Sequence, residues 1–264
     1  MKKWIAAASL IVLVAIFAGM IAPYPFAQQN LGATLQPPSP AHRLGTDDLG
    51  QDILARLIYG GRISLTVGLL APTMSVIFGG ALGMLAGYYR GRLETFVVGG
   101  VDVLLAFPPL VFAIAVTTYL GQSALNITLV IGILGIPAFT RVARAVTLSL
   151  SEREFVTAAR ALGATDSRIL LRELLPNVAL PLAAFFLLGV AVTIVVEGAL
   201  SFLGLGVPPP APSWGSMIGE GRESLDIAPR LAFLPAIVMF LTVLSFNIVG
   251  DTMRALTDPR PGAL

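Results

Sequence analysis

The sequence predicts an all-α membrane protein with about six transmembrane helices. Three observations carry that prediction. The 264-residue chain is 56% hydrophobic and 12% charged, whereas soluble domains are about 45–50% apolar and about 25% charged. Mainly apolar runs of about 20 residues, the length that crosses a bilayer, recur along it. In hydrocarbon the backbone has to satisfy its own hydrogen bonds, and a run of that length does so as a helix.

The first run covers residues 4–22. Lys2-Lys3 followed by an apolar stretch also fits a secretory signal peptide. A signal core is usually about 7–15 residues, and this run is longer, so it is read as a span. Residues 23–62 form an outside stretch in which Pro23, Pro25, Pro37, Pro38 and Pro40 keep the chain extended. A core of five further spans occupies residues 63–264. Its first span, residues 63–89, contains no charge. The next, residues 95–120, contains Asp102 and should kink at Pro108-Pro109. Gly121-Gln122-Ser123 reads as a tight turn into residues 124–140. Residues 178–203, with Glu197 near their end, and residues 231–250 complete the set. A second outside stretch, residues 207–229, opens with Pro208-Pro209-Pro210.

The basic residues orient the chain. With the N-terminus inside, the inside set is Lys2, Lys3, Arg90, Arg92, Arg141, Arg144, Arg153, Arg160, Arg168, Arg172, Arg254 and Arg260. The outside set is Arg43, Arg56, Arg62, Arg222 and Arg230. Cytoplasmic loops carry the excess of Lys and Arg, so both termini are expected in the cytoplasm of a multi-pass inner-membrane protein.

Several functions are excluded by what is missing. Lys2 and Lys3 are the only lysines, and a P-loop needs a Lys after its glycine-rich turn. The chain therefore carries no standard ATPase site. His42 is the only histidine and there is no cysteine. That leaves no His pair for zinc, no thiolate ligand and little material for a nucleophilic triad. No metal site and no catalytic residue is expected. The net charge of +2 is too small and too dispersed for nucleic-acid binding. No block of sequence repeats, which argues against an internally duplicated secondary transporter.

Three features inside the spans call for partners. Gly79, Gly83 and Gly87 recur every four residues on one helix face, a spacing that lets another helix approach closely. That helix belongs either to this chain or to a sister subunit. Asp102 lies roughly 10 Å into its span from the inner side. It should pair with Arg141 or Arg144, or else line a cavity that substrate touches. Glu197 lies roughly 28 Å from the inner face. It could brace the following outside loop, form an outer gate, or be an interfacial acid that reaches water.

The most informative segment is the inside loop, residues 149–177. It is too charged to span, yet Phe155, Ala158, Ala159 and Leu162 fall on one helical face. Gly163 should end that helix in a left-handed conformation. Ile169, Leu170 and Leu174 suggest a second short helix, closed by Pro176. On pattern alone the segment is either an amphipathic loop packed beneath the bundle or a foothold for another protein.

The run from Glu154 through Phe155, Thr157, Ala158, Ala159, Arg160, Leu162, Gly163 and Ala164, then Arg168-Ile169 and Leu175-Pro176-Asn177, closely resembles the EAA loop of ABC importer permeases. The likeness extends along nearly the whole chain after the first span. The segment from His42-Arg43-Leu44-Gly45-Thr46-Asp47 to Asp52 resembles the outside motif of the second permease of dipeptide, oligopeptide and nickel importers. Gly87-Tyr88-Tyr89-Arg90-Gly91, Phe107-Pro108, Leu200-Ser201-Phe202-Leu203-Gly204, Pro212-Ser213-Trp214-Gly215, Gly250-Asp251 and Asp258-Pro259-Arg260 continue it. The chain departs from that pattern at Gln51 and Gly99, where Arg is usual, at Glu94 for Asp and at Ala236 for Gly.

The resemblance implies a type I ABC importer permease fold and a place in an ATP-driven importer of dipeptides or oligopeptides. It implies that the loop carries a coupling helix docked on an ATPase, through Glu154, Ala158, Ala159, Arg160, Leu162, Gly163, Ala164, Ile169 and Pro176. The partners it implies are a second permease subunit, two ATP-binding subunits or one fused ATPase, and an extracytoplasmic solute-binding protein. No cofactor would be bound by this chain, with ATP and Mg held on the ATPases. A nickel or other metal chelate is the alternative cargo. An ion-coupled secondary transporter is the alternative class.

Overall fold

The computed structural model of the chain describes residues 2–257. Among the described residues helices dominate, and the one β-bridge joins Thr46 to Asp52. Two helices come first, α1 (Lys2–Ile16) and α2 (Ala18–Ile21). An irregular stretch leads to α3 (Ile53–Tyr89). Next are α4 (Gly91–Ala106), α5 (Pro109–Leu120) and α6 (Ala124–Ser151). The short α7 (Glu154–Ala161) precedes α8 (Asp166–Arg168). From α8 the chain runs through a π-helical turn, Ile169–Leu174, into α9 (Leu175–Phe202). The last two are α10 (Trp214–Gly221) and α11 (Arg230–Thr257). The Asp258-Pro259-Arg260 motif lies outside the described residues.

Among the described residues four helices are long and apolar enough to cross a membrane: Ile53–Tyr89, Ala124–Ser151, Asp166–Phe202 and Arg230–Leu256. The pair α4 and α5, bent by 81°, makes a fifth if counted as one span. The run at residues 4–22 is not one helix of that kind. α1 has 15 residues, roughly 22 Å at the helical rise. At Phe17 the helix tightens, with one carbonyl accepting from both Met20 and Ile21.

Other boundaries differ from the sequence reading for identifiable reasons. α3 starts at Ile53, so residues 53–62 are helix rather than extended chain. The last of the early prolines is Pro40, and Asp52 then caps the helix by accepting from the Ala55 N–H at 2.8 Å. α6 continues past residue 140 because Ala143 and Thr147 remain buried against α3. The span at residues 95–120 is broken rather than merely kinked. Phe107 and Pro108 are extended, and Pro109 opens α5, where its missing N–H costs nothing. Pro176 does not close a second short helix. The helix runs through it, because the wider π turn just upstream accommodates a residue with no N–H. The outside stretch at residues 207–229 holds α10, started by a capping box between Ser213 and Ser216.

α3 is the axis of the bundle. Its glycines line up against three neighbours. A Cβ added at Gly79 would come within 2.6 Å of the Ile136 carbonyl, and one at Gly87 within 2.8 Å of the Arg144 carbonyl. At Gly83 it would overlap the Thr140 carbonyl. These three glycines therefore receive α6 of the same chain, not a sister subunit. Higher on α3, Gly68 meets Ile194 of α9, and Gly60 and Gly61 meet Trp214 of α10. Trp214 is almost fully buried in that notch, and its indole N–H donates to the Leu57 carbonyl at 3.0 Å.

One prediction follows from this contact. Gly83→Leu should destabilise the chain by about 3 kcal/mol or more, since overpacking a tight interface costs about 1–3 kcal/mol and here meets backbone. Gly99→Leu, where nothing lies within 4 Å, should leave stability unchanged or slightly raised. Thermal unfolding in detergent compares the two.

Candidate functional site

The loop between α6 and α9 is built on the α3 terminus. α6 ends at Ser151, and the chain turns through Glu152 and Arg153 into α7. Glu154 sits in the first turn of α7, where a carboxylate complements the helix dipole. The helix stops as the sequence predicts. Gly163 has φ +79°, its N–H donates to the Arg160 carbonyl, and the Ala164 N–H donates to the Ala159 carbonyl. Those two bonds form a Schellman motif.

The two faces of α7 differ. Val156 is fully buried with Ile169, Leu170 and Leu174 from the π turn and Met84 and Tyr88 from α3. Ala159 and Ala164 pack on that cluster. The opposite face, Phe155, Ala158 and Leu162, is exposed, with Leu162 at 88%. The stripe recognised in the sequence thus splits: Ala159 turns to the bundle and the other three turn away. The cluster is held by polar contacts as well. The Tyr88 hydroxyl donates to Asp166 at 2.7 Å, and the Arg160 guanidinium sits 5.3 Å over the Tyr88 ring. Arg90 bridges to Glu152 at 2.8 Å on the surface.

The remaining sequence candidates fall into two other places. Arg141 donates to Asp102 at 2.7 Å, tying α6 to α4. Arg144 pairs with Glu94, one helical turn nearer the loop. Glu197 is fully buried and does not reach water. It accepts from Ser64 at 2.9 Å and from Ser201 at 2.6 Å, and the Trp214 N–H donates to the same Ser64 hydroxyl at 3.2 Å. It joins α3, α9 and the start of α10, so it braces the outside loop.

Sequence reading passed over two features. Val156 and Tyr88, which the sequence noted only as members of motif stretches, anchor α7. Beyond them, a buried charge cluster caps the far end of α3. Arg56, only 6% exposed, donates to Asp47 at 2.5 Å and to Glu220 at 2.7 Å. Asp47 also accepts the N–H groups of Leu49 and Gln51, and His42 pairs with Asp52 at 2.9 Å. Partial burial pushes the Glu220 carboxyl up, while the Arg56 charge pulls it back. The spacing from Arg56 to Glu220, 164 residues, left no local sequence signal.

Residues 79–262 match the family described as binding-protein-dependent transport system inner membrane component. The chain belongs to that family. Residues 6–38 match the N-terminal TM domain of oligopeptide transport permease C, which places the permease in the C-type group of ABC importer subunits. It is 43% identical over 255 residues to the glutathione transport system permease protein GsiD of Escherichia coli, covering 95% of this chain and 83% of that one. It is 40% identical over 249 residues to the dipeptide transport system permease protein DppC of Alkalihalophilus pseudofirmus, covering 94% and 82%. The permease also superposes on a chain of the MetNI methionine ABC transporter in an inward-facing conformation. That match has a TM-score of 0.63 at 16% identity and covers 78% of this chain and 97% of the other. It shows the type I importer permease fold.

Substitutions at two positions test this geometry. Gly163→Val should destabilise the α7 turn by about 1–2 kcal/mol, since a β-branched residue strains a left-handed position. Hydrogen exchange confined to residues 154–170 should rise. Glu197→Ala should cost about 3 kcal/mol, by stranding two hydroxyls and leaving a void. Glu197→Gln should recover about half of that loss, read as thermal stability in detergent.

Proposed function

We propose that this permease is one half of the pathway of an ATP-driven importer of dipeptides, oligopeptides or glutathione-like peptides, and that the segment around α7 is where an ATPase subunit docks. The observation that carries the reading is the two-sidedness of α7. A helix anchored by Val156, Tyr88 and Asp166 on one side presents Phe155, Ala158 and an almost fully exposed Leu162 on the other. An apolar patch among the charges of Arg153, Glu154, Arg168 and Arg172 calls for a protein cover. The names of the relatives supply the cargo class, and both termini lie in the cytoplasm in this reading, by the distribution of basic residues.

In the proposed cycle a solute-binding protein delivers peptide to the end that carries the Arg56 cluster and α10. A second permease completes the pathway. ATP and Mg are held on the partner ATPases, and this chain contributes no catalytic group. Movement of the ATPase is received at Leu162 and Phe155 and passed through Val156 to the α3 terminus. Because α8, the π turn and α9 are one continuous helix, the same push reaches the helix that carries Glu197.

Leu162→Asp in the assembled transporter should lower co-purification of the ATPase at least tenfold and abolish ATP-dependent uptake of labelled dipeptide and glutathione into vesicles. Thermal stability of the permease should stay within about 0.5 kcal/mol, because Leu162 is so exposed. Undiminished uptake by that variant would sink the docking assignment, and solute flux through this chain alone, without ATP, would sink the importer reading.

A further inference from the structure

α1 is attached to the bundle along only part of its length. Its second half packs: Ala15 is buried in the core that includes Phe246, and Ile11 and Val12 lie against it. In its first half no residue from Lys2 to Leu10 is buried. There the helix stands away from α9 and α11, leaving an open apolar groove of about 430 Å³. One wall is the stripe Ile5, Ser9 and Leu13 of α1, and the other is Leu187, Phe246 and Val249. The volume is in the range of small-molecule sites, about 300–1,000 Å³. Ser9 is the one lining residue with a polar side chain.

Basic residues open the helix at one end of the groove. Lys2 lies one helical turn before Ile5, on the same stripe, and Lys3 adjoins it. On the facing α11, Asp251 and Arg254 bring opposite charges. Lys2 and Lys3 are the only lysines in the chain. A hydrocarbon slot open to the bilayer, with Lys2 one helical turn beyond its end and Lys3 next to it in the chain, matches one ligand chemistry. That chemistry is an acyl chain joined to an anionic phosphate headgroup.

We propose that the groove between α1 and the α9–α11 pair holds an anionic glycerophospholipid, its chain between Ile5, Ser9, Leu187 and Phe246 and its phosphate at Lys2 and Lys3. The lipid fills the gap beside α1, and it fastens the loosely packed N-terminal half of that helix to the core. The proposal stands apart from the docking of α7 and depends only on α1 lying in the membrane.

Native mass spectrometry of the assembled transporter, titrated with phosphatidylglycerol and phosphatidylcholine of identical chains, tests it. The wild-type transporter should retain phosphatidylglycerol on the order of tenfold more strongly, the effect of two cationic groups near one headgroup. Lys2→Gln with Lys3→Gln should reduce that preference to about twofold or less while a lipid is still held. Ser9→Trp should fill the slot and displace both lipids. Leu187→Phe, from the opposite wall, should weaken both if the Trp variant fails to assemble. Equal retention of the two lipids by the wild type would overturn the proposal, as would a preference that survives loss of both lysines. Lipid held by the isolated permease but absent from the assembled transporter would also overturn it, showing that a partner's helix occupies the groove.

Discussion

Everything in this bundle depends on how closely α3 is approached by its neighbours. A 37-residue helix spans roughly 55 Å, more than the bilayer, and it is contacted near both ends and in the middle. Helices in lipid gain little from hydrophobic exclusion, so they associate by close van der Waals fit. Glycine supplies that fit here. Gly79, Gly83 and Gly87 admit the α6 backbone, Gly68 admits Ile194, and the Gly60–Gly61 notch admits Trp214. Ser75 adds a hydrogen bond from α3 to the Gly132 carbonyl of α6 at 2.7 Å. Each helix that matters to the two ends is thereby referred to the same axis.

The ends of that axis are keyed by different chemistry. At one, Tyr88 and Met84 receive α7 in an apolar cluster closed by a single strong hydrogen bond to Asp166. At the other, the contacts are polar and buried: Arg56 between Asp47 and Glu220, and Glu197 between two serines. Buried charge of this kind adds little net stability but strongly penalises any arrangement that breaks it. The outer end therefore behaves as one unit comprising the start of α3, the loop before it and α10. Arg230 extends that unit to α11 by donating to the carbonyls of Leu35 and Gln36. By contrast, α4 and α5 meet at 81° and leave Phe96 and Tyr119 more than four-fifths exposed. They are the part of the fold most dependent on neighbours outside this chain.

The sequence told the helical class, the α7 turn and the pairing of Asp102 because each is a local or short-period signal. Gly163 after an alanine-rich helix is a stop that needs no tertiary information, and Arg141 and Arg144 stand at the inner end of the span that follows Asp102, where they offered it a partner. The fate of Glu197 was not legible. Whether an acid near a helix end reaches water or is sealed depends on Ser64, which is 133 residues away. The same holds for Arg56, which looked like an ordinary outside arginine and proves to be sealed between two carboxylates. Pro176 misled for a related reason: proline stops a regular α-helix, but a π turn ahead of it changes the hydrogen-bond register. Residues 53–62, the start of α3, were missed because a proline-rich preamble obscured a helix that Asp52 caps.

The placement of charge also bears on selectivity. The described ionisable groups of the spans cluster toward the two ends, where the internal pairs just named hold many of them. Between those ends, α3, α5, α6 and α9 enclose an apolar cavity of about 380 Å³ lined by Pro72, Pro109, Phe139, Phe185 and the hydroxyls of Ser75 and Thr193. A wall of that kind offers weak hydrogen bonds and no fixed charge, so it would discriminate little between ligands that differ in charge. Strong rejection requires a buried polar group that the wrong ligand leaves unpaired, and this wall has none of the charged kind. A peptide that met this wall in the proposed importer would therefore be sorted little by its charge.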